Sequence, residues 1–414
     1  MRLAYFPIEV FVREFPAKLA LAYNLAQNNF ATIMAEDRFL TQLLTQIQDC
    51  KTGVFFDKSC NKIQLEKYQN LKSIQKIFVH DEEGPQLETD KLYFNRFSEE
   101  ALRITEGVLC WGETEFAQLA KIKGNSDKLY ITGSPRFDLM GDLRYLFKEE
   151  SAALNSIFGQ YVLINSNVPN PANEKSLIAS AQKGGEVRNS NDLALLSELV
   201  EKYNKLRIEL QSFVVEFAKT QPNKTILFRR HPVDNSNWNF GQFRNVMEIS
   251  HGPVEPYILG SETVIGAGCT TLLQAGLAKK NIINVNFEAN SATRVHILID
   301  ELVKTLTDQK ADPLQEQNYP DIARYVSNFS GATAIEKIKA VFSNVDLPEI
   351  DLDYINMIAN TADKYEWKET LKFPLDMRYK MQKYWEAIIR QNGNKGVVMG
   401  LIGKKGMIVL PKFE

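Results

Sequence analysis

The 414 residues exceed the length at which a single hydrophobic core keeps growing, so two domains are expected. A net charge of −2 gives no reason to expect a nucleic-acid partner, and the four cysteines (Cys50, Cys60, Cys110, Cys269) lack metal-ligand spacing and read as buried reduced thiols. No signal-peptide pattern opens the chain and no apolar run reaches membrane-spanning length, so a cytoplasmic protein is expected, with peripheral association at the inner face of the cytoplasmic membrane as its one route to a bilayer.

Short apolar runs predict strands over 3–8, 30–34, 53–56, 76–80, 107–111 and 128–132, with amphipathic helices over 14–27 and about 38–47 between the early ones. The fourth run ends in Asp81-Glu82-Glu83-Gly84-Pro85, and the sixth opens into Gly133-Ser134-Pro135-Arg136-Phe137-Asp138. Strands alternating with helices predict a parallel, doubly wound sheet. A second series starts at 161–165, followed by a polar, Asn- and Pro-rich segment over 165–191 that is too long for an ordinary connector and reads as a lid. A long helix over 192–219 leads to strands at 225–228, near Val246, at 262–265 and at 281–285. From 347 onward the pattern turns helical and closes in strand-like pieces at 397–401 and 407–410. The domains expected are 1–155 and 156–345, both Rossmann-like, and a helical extension over 346–414 that packs back on the first.

The chemistry gathers where strands end. Phe228-Arg229-Arg230-His231-Pro232-Val233-Asp234 closes a buried strand, because Pro232 removes a ladder donor. It delivers two arginines, a histidine and an aspartate to the edge at which open α/β sheets bind ligands. Guanidinium groups pair bidentately with phosphate, and an imidazole adds a hydrogen bond or a proton. The plainer alternative is that His231 and Asp234 cap a turn beside solvated arginines. Gly266-Ala267-Gly268-Cys269-Thr270-Thr271 is a glycine-permitted turn opening a helix, where free N–H groups favour an anion; alternatively, Thr270 is only an N-cap. Asp81, Glu82 and Glu83, with Arg136 and Asp138, suit hydroxyls and proton transfer, and mutual repulsion predicts a raised carboxyl pKa; alternatively, the acidic run is a solvated turn.

Taken in order, Ile8-Glu9, Arg13-Glu14, Asp81-Glu82-Glu83-Gly84, Cys110-Trp111-Gly112-Glu113, Gly133 to Asp138, Leu163-Ile164-Asn165-Ser166-Asn167, His231-Pro232 and Gly268-Cys269-Thr270-Thr271 form a series. It resembles the bacterial surface-carbohydrate biosynthesis proteins that include the retaining β-Kdo transferases, which use CMP-Kdo and adopt a GT-B fold. The acidic and His-Pro motifs also look like the pair shared by bacterial sialyltransferases. The resemblance implies α/β architecture of GT-B type, two doubly wound Rossmann-like domains facing a cleft. It implies that His231-Pro232 and Thr270/Thr271 hold the CMP phosphate, with backbone near Tyr257 at the base and Arg230, Asn165 and Arg136 in the binding set. Asp81 to Glu83 would face the sugar or acceptor, with Asp81 and Glu82 catalytic and Glu82 the acid/base. A double displacement needs a carboxylate nucleophile, for which Asp234 is the candidate. Gln274 stands where many relatives carry glutamate, so a neutral amide would meet the ribose. No cofactor or metal is expected; Asp351-Leu352-Asp353 reads as a helix start. The partners implied are a CMP-sugar donor and a glycan or glycolipid acceptor. Two-Rossmann UDP-sugar epimerases and a non-catalytic polysaccharide-assembly module stand as alternatives, because fold does not fix function.

Overall fold

A computed structural model describes residues 1–47, 49–84, 91–122, 126–168, 174–231, 234, 236–249, 252–285, 287, 324–329, 331–363, 377–393, 397–402 and 406–411. The chain forms two compact units, each discontinuous in sequence: Met1–Gly84, Phe97–Leu139 and Val326–Glu414 make the first, Pro85–Arg96 and Met140–Tyr325 the second. Each is a Rossmann-like α/β unit, the fold class that the alternating pattern predicts.

In the first unit the strands are β1 (Arg2–Ile8), β2 (Phe30–Glu36), β3 (Val54–Asp57), β4 (Lys76–Val79), β5 (Gly107–Cys110) and β6 (Leu129–Ile131). Leu3, Ala4, Tyr5 and Phe6 of β1 are fully buried, which is why this strand reads as one apolar run and takes a central place. The second unit holds β7 (Tyr161–Asn165), β8 (Thr225–Arg229), β9 (Val246–Ile249), β10 (Thr263–Gly266) and β11 (Asn281–Asn284). Two further strands, β12 (Val397–Ile402) and β13 (Gly406–Pro411), return to the first unit, where β13 pairs antiparallel with β2. The first sheet therefore runs β12-β13-β2-β1-β3-β4-β5-β6, and the second, all parallel, β11-β10-β7-β8-β9. Strand order reverses between β1 and β3 in the first and between β7 and β10 in the second. Open α/β sheets place ligands beyond the carboxyl ends of strands at such reversals.

Helix Ala334–Ser343 opens with a capping box of Thr333 and Glu336 and packs on helix Phe11–Ala26 of the first unit. Its Phe342, fully buried, meets Phe56 and Phe78 edge-on at centroid distances of 5.4 and 5.1 Å. Asp138 accepts from Ala334 N (3.1 Å), Ile335 N (2.9 Å) and Asn328 Nδ2 (2.7 Å), so the carboxylate expected to serve proton transfer instead secures this helix start. Asp351 likewise accepts from Tyr354 N at 2.9 Å at the start of helix Leu352–Asp363.

The polar segment over 165–191 is partly helical. It contains helix Glu174–Gly184 and the start of helix Ser190–Thr220, whose first turn Asn189 caps by accepting from Asp192 N at 3.0 Å. Fully buried Asp192 pairs with Lys91 (2.7 Å) and accepts from Asn95 Nδ2 (3.1 Å), which ties residues 91–95 to this unit. Leu210, Val214 and Ala218 of the long helix pack with Ile226, Phe228, Trp238 and Phe240, fixing where β8 ends. Among the described residues no helix is long and apolar enough to cross a membrane.

Candidate functional site

Parallel registry places Ile249, Arg229, Asn165, Gly266 and Asn284 in one row across the second sheet, at its carboxyl edge. The reversal of strand order falls inside that row, between Asn165 and Gly266. Beyond Gly266 the chain turns at Gly268, whose φ of +71° lies in the left-handed region that side chains disfavour. Gly268 N donates to Asn284 Oδ1 at 3.0 Å, which holds the turn to the next strand. Thr270 stands at the N-cap position of helix Thr271–Leu277, as the plainer alternative has it, but makes no side-chain cap hydrogen bond.

Asparagines tie the end of β7 to this turn. Asn165 Nδ2 donates to Thr271 Oγ1 at 3.0 Å, and Asn167 Nδ2 to Ala267 O at 2.8 Å. Their Oδ1 atoms are buried and have no hydrogen-bond partner among the described residues. Such orphaned acceptors cost free energy unless a water or ligand meets them.

Arg229 and Arg230 have different fates. Arg230 Nη1 donates to Ser236 O at 3.2 Å, and its Nε, buried without a hydrogen-bond partner among the described residues, lies 3.7 Å from Glu248. Arg229 Nη2 donates to Gly252 O at 2.7 Å, and its Nε is likewise buried without a hydrogen-bond partner among the described residues, but no carboxylate among them stands at ion-pairing distance. Burial pushes the Arg229 guanidinium below its ordinary pKa, and Glu255, Tyr257 and Cys269 act against that shift. Tyr257 is half-buried, and burial raises its hydroxyl while Arg229 draws it back. His231 is half-buried beside them and its carbonyl accepts from Asp234 N at 2.9 Å; Pro232 lies outside the described residues.

Two predicted residues of this edge are turned inward. Asp234 is 6% exposed, and its Oδ1 accepts from Ser236 N (2.9 Å) and Ser236 Oγ, its Oδ2 from Trp238 Nε1 (2.7 Å). Arg207 Nη1 stands 3.6 Å from the same carboxylate. Burial acts to raise this carboxyl, but the Ser236 and Trp238 hydrogen bonds and the Arg207 charge hold it below its ordinary value. Both oxygens are thus engaged within the fold, and Asp234, the expected nucleophile, anchors the turn after β8. Gln274 is completely buried; its Nε2 donates to Glu255 Oε1 at 3.5 Å, and its Oε1 has no hydrogen-bond partner among the described residues.

In the first unit the acidic run follows β4. Asp81, 2% exposed, accepts from Glu83 N at 2.9 Å and, through its carbonyl, from Trp111 Nε1 at 2.6 Å, so its carboxylate shapes the turn. Glu82 Oε2 stands 3.7 Å from both Arg13 Nε and Arg136 Nη1, and Arg136 also donates to the Glu82 carbonyl at 3.3 Å. Burial pushes the Glu82 carboxyl up, yet Arg13, Arg136, His80 and Lys18 hold it below its ordinary value. The raised pKa predicted from like-charge crowding is therefore reversed by two arginines distant in sequence.

His80 is a residue of this cluster that sequence reasoning passed over. It is 1% exposed, stacks on Trp111 at 5.5 Å, and its Nε2–H donates to Gly133 O at 3.1 Å. The carbonyl fixes the tautomer, leaving Nδ1 as a buried acceptor with no partner among the described residues. Its one sequence signal is a histidine at a strand end directly before acidic residues. Burial lowers its pKa to about 4 against the opposing pull of Glu82.

No group of three His, Cys, Asp or Glu side chains among the described residues has metal-holding geometry. A cleft of about 360 Å³ opens at the other edge of the first sheet, lined by Lys76, Phe78, Glu106, Tyr130 and residues near helix Ala334–Ser343, and contains none of the predicted site residues.

No family model matches the chain, and no curated protein matches it. Among solved structures it is similar to UDP-GlcNAc 2-epimerase from Neisseria meningitidis bound to UDP-GlcNAc, with 14% identity, 82% of this chain and 99% of that chain covered, and a TM-score of 0.46. It is similar to the Methanocaldococcus jannaschii UDP-GlcNAc 2-epimerase in complex with UDP-GlcNAc and UDP, with 13% identity, 83% and 100% covered, and a TM-score of 0.47. For a variant of the wall teichoic acid polymerase TagF soaked with CDPG the values are 10% identity, 82% and 87% covered, and a TM-score of 0.44. At such values the fold rests on the two sheet orders described above, not on these likenesses.

Proposed function

We propose that the chain is a glycosyltransferase that takes Kdo, or a related ulosonic acid, from its CMP-activated form to a bacterial surface polysaccharide or glycolipid. The observation that carries a nucleotide site is the carboxyl-edge row of the second sheet. There Asn165 and Gly266 flank a strand-order reversal with Arg229 next to Asn165 in the row, and Gly268 turns the backbone towards Thr270 and Thr271. Such an edge offers backbone N–H groups, hydroxyls and a guanidinium to a phosphate without a metal. In this reading Thr270, Thr271 and His231 contact the phosphate, and Tyr257 lies at the base. The ordered motif series supports the CMP-ulosonic acid donor in particular. Glu82, kept ionised, is assigned to accepting the proton of the acceptor hydroxyl. Transfer through a covalent Asp234 adduct is not part of the proposal, since that carboxylate is engaged on both oxygens. The reading places the protein in the cytoplasm, at most peripherally attached to the inner membrane face.

Calorimetry with CMP and UMP, followed by mass spectrometry of reactions containing CMP-Kdo and a Kdo-terminated or lipid-linked acceptor, tests this. Binding of CMP in preference to UMP and a mass gain of one ulosonic acid on the acceptor are expected. Conversion of a UDP-sugar to its epimer without any acceptor would replace the proposal with the epimerase reading.

A further inference from the structure

The cations at the edge of the second sheet differ in what neutralises them. Arg207 stands 3.6 Å from Asp234, and Arg230 stands 3.7 Å from Glu248. Arg229, the last residue of β8, has no carboxylate at ion-pairing distance among the described residues. It donates to the Gly252 carbonyl, and its Nε, buried like that of Arg230, has no hydrogen-bond partner among the described residues. A guanidinium carries five N–H donors, so most of its capacity is unspent. Holding a half-buried cation beyond ion-pairing distance of a carboxylate is costly, and an anion brought by a ligand would offset that cost.

The surroundings say where that ligand would sit. Arg229 is in register with Asn165, which in turn is in register with Gly266, the residue that opens the glycine turn. Cys269 of that turn and Tyr257 both act electrostatically on the guanidinium. Glu255 acts on it most strongly of these, yet from beyond ion-pairing distance. A planar fork of donors next to a backbone turn suits an oxyanion held bidentately, which a lysine could not reproduce.

We propose that Arg229 is the oxyanion receptor of the donor site, binding an anionic group that the nucleotide donor brings to it. The inference rests on the nucleotide-sugar reading above and extends it by assigning a residue and a ligand chemistry. The oxyanion is either the nucleotide phosphate or a carboxylate on the sugar, and one set of measurements separates them. Calorimetry on the full chain would compare cytidine, CMP and a CMP-linked ulosonic acid, in wild type, Arg229→Gln and Arg229→Lys.

If the phosphate is bound, wild type prefers CMP to cytidine and Arg229→Gln lowers that preference about tenfold or more, with cytidine affinity unchanged. If the sugar carboxylate is bound, the CMP-to-cytidine ratio survives, and the extra affinity of the CMP-linked acid over CMP falls by a similar factor. Arg229→Lys, which keeps the charge and loses the fork, should fall between wild type and Arg229→Gln. Unchanged ratios in Arg229→Gln overturn the proposal. If Arg229→Gln does not fold, a fully wild-type set of ratios in Arg229→Lys overturns it instead. Should wild type bind UMP and not CMP, the cytidine reading fails while UMP against uridine still tests Arg229.

Discussion

Asp234 separates a chemical from a structural role, because the two predict opposite pairs of measurements. Its carboxylate takes hydrogen bonds from Ser236 N, Ser236 Oγ and buried Trp238 Nε1, and faces Arg207 at 3.6 Å. Asp234→Ala leaves the Trp238 N–H unsatisfied in a buried site and the Arg207 charge without its partner, a loss of about 3–5 kcal/mol. Asp234→Asn keeps the shape and one acceptor oxygen but turns an NH2 towards a donor, at a cost of about 1–3 kcal/mol. Urea unfolding followed by tryptophan fluorescence should therefore show a lower midpoint for Asp234→Asn and a still lower one for Asp234→Ala. Transfer by Asp234→Asn, assayed well below its unfolding midpoint, should persist at a reduced rate. The reasoning is refuted if Asp234→Asn is as stable as wild type, binds CMP normally and shows no transfer at all, the signature of a lost nucleophile.

Three further outcomes are expected. His80 has its pKa lowered from 6.5 to about 4, so between those values the unfolded chain takes up a proton that the folded one refuses. Stability is unaffected by this group above pH 6.5 and falls by up to about 3 kcal/mol as pH drops towards 4; His80→Gln should flatten that slope in unfolding measured across the range. Glu82 is held ionised, so Glu82→Gln should lower kcat by about a hundredfold with donor KM little changed, and the acid limb of the wild-type rate profile should fall below the ordinary carboxylate range; a limb above that range would contradict the assignment. Gly268, at φ +71°, should tolerate alanine poorly: about 1–2 kcal/mol of strain by unfolding and weaker nucleotide binding by calorimetry, whereas unchanged values for both would remove the turn from the site.

What was legible in the chain and what was not divides along one physical line. Strands β7 and β8 announce themselves because parallel strands buried on both faces must be apolar throughout, as in Thr225-Ile226-Leu227-Phe228. The turn at Gly266 to Thr271 is readable for a related reason, since glycine is the residue that accepts the backbone conformation found at Gly268. The polar segment over 165–191 misled because its helix Glu174–Gly184 is mostly exposed and lacks a strong apolar stripe. The fate of each charge was hidden, because it depends on partners brought from elsewhere. Arg13 and Arg136 reverse the shift of Glu82 from either side of it in sequence. Trp238 and Arg207 engage the Asp234 carboxylate from positions that the Asp234 motif itself does not reveal.

Arg229 and Arg230 make the point most sharply. Arg229 ends β8 and Arg230 continues the extended chain just beyond it, so the two identical side chains meet different surroundings. The register of β8 with β9 sets Phe228 against Glu248 and Arg229 against Ile249. Arg230 thereby has a carboxylate of the neighbouring strand within 3.7 Å, and Arg229 has an isoleucine in its row on that side and Asn165 on the other. A shift of one residue in that pairing would exchange these neighbours. Which arginine is left for a ligand is therefore a property of strand register, written in the packing of β8 and β9 and not in the Arg-Arg dipeptide itself.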